Sequence, residues 1–103
     1  FPKHRYKKFI KDVVRGTIER KDLIQNLIND KLKGNINDNK TEIVIKVMIM
    51  AAIYEFMFMH KTPIKVVITE YLKVSDSFVD ENKKSFLNAI LDKASKVSRN
   101  LNE

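Results

Sequence analysis

One long apolar stretch limits the folds open to this chain more than any other feature. From Ile43 to Met59 the only charged side chains are Lys46 and Glu55. Wound as a helix, the stretch has apolar side chains on every side, and such a helix needs neighbours on every side. The stretch therefore predicts a buried helix over residues 42–59, at the centre of a helical bundle.

Two other interpretations of this stretch are weaker. A helix that crosses a bilayer needs about 20 apolar residues, and Lys46 and Glu55 lie about 180° apart on a helical wheel. At least one charge would then face lipid. A strand is indicated only by the alternation of Ile43, Ile45 and Val47, and the apolar run continues far beyond the length of a typical strand. We therefore expect a soluble bundle that does not enter a membrane.

Apolar side chains recur at helical spacing in three further segments. The first predicts a long amphipathic helix over residues 6–28, bent near Glu19–Asp22 where the apolar stripe thins. The second follows Thr62 and Pro63, a pair typical of an N-cap and a first helical residue, and the third follows Asp80, a good capping residue. Only two Gly and two Pro are present, too few for the turns of a β-sandwich. The predicted stripes of the three segments are Tyr6, Phe9, Ile10, Val13, Val14, Thr17, Ile18, Ile24, Leu27 and Ile28; Ile64, Val67, Ile68, Tyr71, Leu72, Ser75 and Phe78; and Phe86, Leu87, Ile90, Leu91, Ala94 and Val97.

Three local features refine this all-α prediction. Gly16 lies inside the first helix, where it should cost about 1 kcal/mol relative to Ala, so it indicates close approach by another helix. Gly34 is a natural helix stop, and residues 35–40 have the composition of a loop. Asn39 with Glu42 resembles a capping box at the start of the central helix.

Composition and charge bound the function. The 103 residues predict one domain, residues 1–103, with an ordinary globular composition of 44% hydrophobic and 32% charged residues. The absence of Cys excludes disulfides and thiolate metal sites and fits a reducing cytosol. Residues 1–40 hold 11 Lys/Arg against 5 Asp/Glu (+6), whereas residues 41–103 hold 9 against 8 (+1). A basic end on a nearly neutral body predicts a polyanionic partner, nucleic acid before membrane.

The side chains that enzymes and metal sites need are scarce. The two histidines, His4 and His60, have no Cys and no HExxH-like partner, so we expect neither a metal nor another cofactor. Glu55 is a carboxylate in an apolar segment, a pattern that can signal acid–base chemistry. A Glu55 that reaches solvent or caps a neighbouring helix is the better interpretation. We therefore predict that the chain is not an enzyme.

Several runs of residues resemble one known family. They are IYE (53–55), TPIKVVITE (62–70), SF (77–78) and SFLNAILDK (85–93), preceded by FIKDVVRG (9–16). Together they are similar to the NusB family of transcription antitermination factors, whose corresponding runs read LYE, PxKVAINE, KxF and FVNGxLDK at the same spacing. The likeness covers nearly all of the chain from residue 6 to residue 97.

The resemblance implies an all-α fold of two packed helical sub-bundles. It also implies a function, which is binding to the boxA element of ribosomal RNA leader transcripts. The implied partners are boxA RNA, the ribosomal protein NusE and the elongating RNA polymerase.

The sequence departs from the family pattern in ways that affect function. The family opens with an Arg-rich helix followed by a second helix, and Phe1 would fall just before the third. We therefore expect a fragment that lacks part of the RNA surface and exposes apolar side chains, so that it self-associates. Asp76 stands where the family has Lys. Lys31 stands near a position often held by Tyr, which puts base readout there in doubt because a lysine contacts only phosphate.

Candidate binding residues follow from the resemblance and from charge. Phe86 matches a family Phe near the start of the last helix, where it could stack on an unpaired base or lie in the core. Helix N-termini with cations favour phosphate. The candidate RNA-binding residues are Lys31, Lys33, Lys65, Asn82, Lys83, Lys84 and Phe86. For the protein partner the candidates are Ile45, where many members have Glu, and Glu42, one turn earlier.

Two other functions remain open at this stage. A NusB-like domain also forms the N-terminal RNA-binding part of a family of ribosomal RNA cytosine-5 methyltransferases, so the chain could derive from such an enzyme. It could also be a helical bundle that binds only proteins. Salt-dependent RNA binding would exclude the last interpretation.

Overall fold

The computed structural model describes the backbone of residues 3–32 and 43–101 and the side chains of residues 9–32 and 44–98. Gly34, the loop at 35–40 and the proposed Asn39 cap lie outside these ranges. Within them the chain forms five helices, which confirms the all-α prediction. The helices are α1 (Lys3–Glu19), α2 (Lys21–Lys31), α3 (Ile43–Phe58), α4 (Ile64–Ser75) and α5 (Glu81–Leu101).

Helix α3 is the centre of the fold, as its composition predicts. It packs against each of the other four helices, with the α1–α2 pair and the α4–α5 pair each packed on it. Ile49, Ala52, Ile53 and Phe56 are completely buried in one continuous core, whereas Met50 is only half-buried at its edge. Helix α3 therefore shares one core with the α1–α2 pair and the α4–α5 pair.

The predicted bend in the first amphipathic segment is confirmed. Arg20 separates α1 from α2 with φ −109° and ψ 20°. Its backbone N–H still donates to the Gly16 carbonyl oxygen at 3.0 Å, and its carbonyl oxygen accepts from the Ile24 N–H at 2.9 Å. Because hydrogen bonding continues across Arg20, the bend is a fixed joint between two helices.

Gly16 serves the close approach that its position predicts. It is buried at the contact between α1 and α3, and a Cβ placed on it would overlap the ring of Tyr54. The missing side chain is what lets this ring lie on the α1 backbone.

Much of the predicted apolar stripe of α1 is not in the core. Val13 is 6% exposed, but Ile10, Val14 and Ile18 are 42%, 52% and 67% exposed. These three side chains follow one another at i, i+4 spacing and form an exposed apolar ridge. The ridge agrees with the expectation that apolar surface is uncovered. Self-association through it stays a prediction.

The start and the end of α4 differ from the sequence-based prediction. Pro63, and not Thr62, is the N-cap residue, with an extended backbone (φ −60°, ψ 147°) and no side-chain cap. Its carbonyl oxygen accepts from the N–H groups of Val66 and Val67. At the other end α4 stops at Ser75, so Phe78 lies in the following turn and is 58% exposed. Placing Phe78 in the core stripe was wrong, because the helical period continues in the sequence beyond the point where the helix ends.

Glu55 is buried, contrary to the interpretation that it reaches solvent or caps a helix. Only 4% of it is exposed, and it accepts a hydrogen bond from the Tyr71 hydroxyl of α4. Burial raises the pKa of Glu55, the hydrogen bond from Tyr71 opposes that rise, and the nearby charge of Glu70 adds to it. The hydrogen bond between Glu55 and Tyr71 therefore joins α3 to α4. Burial disfavours the charged form of the Glu55 carboxyl group.

We expect Tyr71→Phe to lower the free energy of unfolding by about 1–3 kcal/mol, the usual effect of leaving a buried acceptor unsatisfied. Because the folded-state pKa of Glu55 is raised, ionisation disfavours folding. Stability should therefore fall as the pH rises from the ordinary carboxyl pKa to the raised one. In Tyr71→Phe the hydroxyl that opposes the rise is missing, so the pKa of Glu55 is higher than in the wild type. The loss of stability caused by Tyr71→Phe should therefore be smaller in acid, where Glu55 is neutral, than at neutral pH. Urea unfolding of both proteins across this pH range measures the effect, and a difference that does not vary with pH would contradict it.

Candidate nucleic-acid interface

The predicted site is centred on the start of α5, where a cap fixes the backbone. The Lys83 N–H donates to Oδ1 of Asp80 at 2.9 Å, and the Lys84 N–H donates to the Asp80 carbonyl oxygen at 2.9 Å. These bonds confirm Asp80 as the N-cap residue. They hold the first turn of α5, with its candidate side chains, in a defined orientation.

Three of the predicted residues share one face of this turn. Asn82 and Phe86 are four residues apart and Lys83 and Phe86 three apart, spacings that make helical side chains neighbours. Asn82 is exposed, and Lys83 and Phe86 are half-buried. An amide, an ammonium and an aromatic ring are thus displayed together, which is the set of groups that binds phosphate and stacks on unpaired bases.

Lys84 lies on another side of the turn and is paired. Its Nζ is 2.7 Å from Oδ1 of Asp76, in the turn after α4. The hydrogen bond to Asp76 raises the pKa of Lys84 above its ordinary value. Lys84 therefore keeps its charge but already has an anion, and RNA phosphate would compete with Asp76 for it.

Phe86 combines the two interpretations that the sequence left open. It packs against the edge of the core, next to the completely buried Leu87. Phe86 is also only half-buried, so part of it stays accessible to solvent. Base stacking on Phe86 stays a prediction, and any substitution there will also affect packing.

Lys65 does not belong to the same cluster. It is exposed near the start of α4, where it lines an open depression with Val66, Thr69 and Glu70. Asp76 and Lys84 mark the other end of α4, about 15 Å away along its axis at 1.5 Å per residue. A contact by Lys65 would therefore involve a different part of an RNA ligand.

The remaining predicted residues are dispersed or not described. Lys31 is exposed as the last residue of α2, and Lys33 and Glu42 lie outside the described residues. Ile45 is 3% exposed in the core, so its side chain is not accessible to a partner in this fold. Partner binding through Glu42 and Ile45 stays a prediction that these observations do not support.

The role of Asp76 in the site is not predictable from local sequence patterns. A long-range ion pair has no characteristic spacing, but an acidic residue at a position where the family has Lys was the available signal. Among the described side chains, no group of three His, Asp or Glu residues is placed to hold a metal ion. Within the same ranges no helix combines the length and apolarity needed to cross a membrane.

The sequence is similar to known proteins over most of its length. The model of the NusB family matches residues 2–96. No solved structure matches the chain significantly.

Individual relatives share the same name. The protein named transcription antitermination protein NusB of Bradyrhizobium diazoefficiens is 29% identical over 91 residues, covering 88% of this chain and 55% of the relative. Its namesake in Nitrobacter winogradskyi is 29% identical over 88% of this chain and 56% of the relative. The protein of the same name in Rickettsia bellii is 30% identical over 81% of this chain and 53% of the relative. The chain spans about half the length of these relatives.

Proposed function

Because this chain belongs to the NusB family, we propose that it acts as an RNA-binding transcription antitermination factor. In this proposal it binds boxA-type RNA of ribosomal RNA leader transcripts together with the ribosomal protein NusE, on the elongating RNA polymerase. The relatives are named as transcription antitermination proteins, which agrees with the prediction that the chain is not an enzyme.

One structural observation supports the RNA contact in particular. The capped start of α5 presents Lys83, Asn82 and the ring of Phe86 on one face. Lysine and the first N–H groups of a helix attract phosphate, and an aromatic ring stacks on an unpaired base. We therefore assign one RNA contact to this face and a second to Lys84, whose Nζ also lies 2.7 Å from Oδ1 of Asp76.

The test is a titration of short, labelled single-stranded boxA-type RNA by fluorescence anisotropy at several salt concentrations. Each phosphate neutralised on a single strand contributes about −0.7 to the log–log slope. Lys83→Ala with Lys84→Ala should reduce the magnitude of the slope by about 1.4 and weaken binding about 25-fold at roughly 0.1 M salt. The loss should be equal for boxA-type and scrambled RNA, because phosphate contacts do not read sequence.

Two further variants make the result specific to this face. Lys93→Ala with Lys96→Ala removes the same charge from exposed positions further along α5 and should have a much smaller effect. Asp76→Asn removes the carboxylate that holds Lys84 and should strengthen binding, because RNA phosphate no longer competes with Asp76 for this lysine. Equal losses from both lysine pairs, or no salt dependence for the wild type, would contradict the proposed site.

A further inference from the structure

A second aromatic and basic cluster lies where α1, α2 and α3 meet. The guanidinium carbon of Arg20 is 4.7 Å from the centroid of the Phe58 ring. The Phe58 ring is in turn 5.4 Å from the Tyr54 ring, centroid to centroid, with the planes tilted by 37°. Tyr54 rests on the backbone at Gly16, so the stack continues from the surface to the α1 backbone.

The outer part of this stack is accessible. Phe58, the last residue of α3, is 38% exposed, and Arg20 is exposed as well. Tyr54 is half-buried beneath them. The guanidinium carbon of Arg20 thus lies over the Phe58 ring, and the exposure of Arg20 leaves room for a planar ligand beside it.

The position of Arg20 is also fixed in advance. Its N–H and carbonyl groups are both hydrogen-bonded, to Gly16 and Ile24, at the joint between α1 and α2. The contact with Phe58 then restrains the side chain. A binding group that is already ordered loses less entropy when a ligand arrives.

Cations outnumber acids around the stack only slightly. Lys21 is adjacent to Arg20, and Lys61 follows Phe58 by three residues in the turn after α3; both are exposed, as are the acidic neighbours Glu19 and Asp22. Charge alone would therefore bind an anion weakly here. The distinctive feature is that the planar guanidinium of Arg20 lies on Phe58, which in turn packs against Tyr54. Such a cation suits a planar ligand that also carries phosphate.

We propose that the Arg20–Phe58–Tyr54 stack is a second contact for single-stranded RNA, an inference that rests on the proposed function. An unpaired base stacks on the guanidinium plane of Arg20, as bases do on arginine and aromatic side chains in single-stranded RNA recognition. Lys61, exposed and three residues after Phe58, is the candidate to contact the phosphate that flanks this base. The stack lies near the start of α4, whereas the RNA-binding face of α5 lies near the end of α4. The two sites therefore bind different nucleotides.

The test compares Arg20→Lys and Phe58→Leu with the wild type, titrating a short unstructured RNA of mixed sequence at several salt concentrations. Arg20→Lys keeps the charge and removes the plane, whereas Phe58→Leu keeps an apolar side chain and removes the ring that supports Arg20. Each should weaken binding about fivefold or more, the effect of losing one stacked base. The salt slope of Arg20→Lys should equal that of the wild type, because no charge is lost. Arg15→Lys, at an exposed position of α1, is the matched control and should bind as the wild type does.

The outcomes separate this inference from the proposed function. If the wild type binds RNA in a salt-dependent way and both variants bind equally well, the stack is only structural and the inference is overturned. If the wild type itself does not bind RNA, the proposed function is overturned together with it. A loss in the folded Arg20→Lys protein at an unchanged salt slope, absent from Arg15→Lys, supports the second contact. Losses that add to those of Lys83→Ala would show that the two sites act independently.

Discussion

Replacing Ile53 with aspartate is expected to unfold the protein. Ile53 is completely buried in α3, within the core shared by both helix pairs. The variant loses the burial of an isoleucine and places a carboxylate without a partner in an apolar environment, each a cause of large destabilisation. Domains of this size are usually stable by only 5–15 kcal/mol. Circular dichroism should show a strong loss of helical signal.

A matched substitution on the same helix controls for the effect of aspartate in α3. Val47 is 56% exposed, so Val47→Asp leaves its charge in water and should change the melting temperature little. Similar melting curves for Ile53→Asp and the wild type would mean that α3 is not the centre of the fold.

Gly16→Leu is expected to destabilise the contact between α1 and α3. Even a Cβ at this position would overlap the Tyr54 ring, so a leucine must displace that ring from its contact with Phe58. Leucine favours the helix by about 1 kcal/mol over glycine, but overpacking a tight contact costs about 1–3 kcal/mol and occasionally more. Subtracting the helix gain from the overpacking cost, we expect a net loss of up to about 2 kcal/mol in the free energy of unfolding, measured with urea.

Two comparisons identify steric overlap as the cause. Arg15→Leu places the same side chain at the adjacent, exposed position and should change stability little. Combining Gly16→Leu with Tyr54→Ala removes the displaced ring, so the two changes should cost less together than the sum of their separate effects. Strictly additive losses would show that Gly16 is required for another reason.

The candidate site could be predicted only where it depends on local sequence. Asp80 as the cap of α5 follows from the type of residue before a helical stripe, and the structure has that bond. The clustering of Asn82, Lys83 and Phe86 follows from helical spacing alone. The ion pair of Lys84 with Asp76 joins two helices across a turn, and no spacing rule specifies such a pair.

The sequence by itself determined the helical class, the central position of α3 and the bend near Arg20. These depend on the period of apolar side chains and on where that period is interrupted, both of which are local properties. Family membership was also visible in short motifs, and the match over residues 2–96 confirms it.

Only the tertiary structure decided which side of each helix found a neighbour. The α1 stripe predicts burial equally for Val13 and Ile18, yet Val13 faces the core and Ile18 is 67% exposed. Glu55 is buried because Tyr71, on another helix, supplies a donor. Arg20 and Phe58 meet although 38 positions separate them in sequence. Contacts of this kind depend on how helices pack, and packing is set by the whole core at once, so no single segment of sequence specifies them.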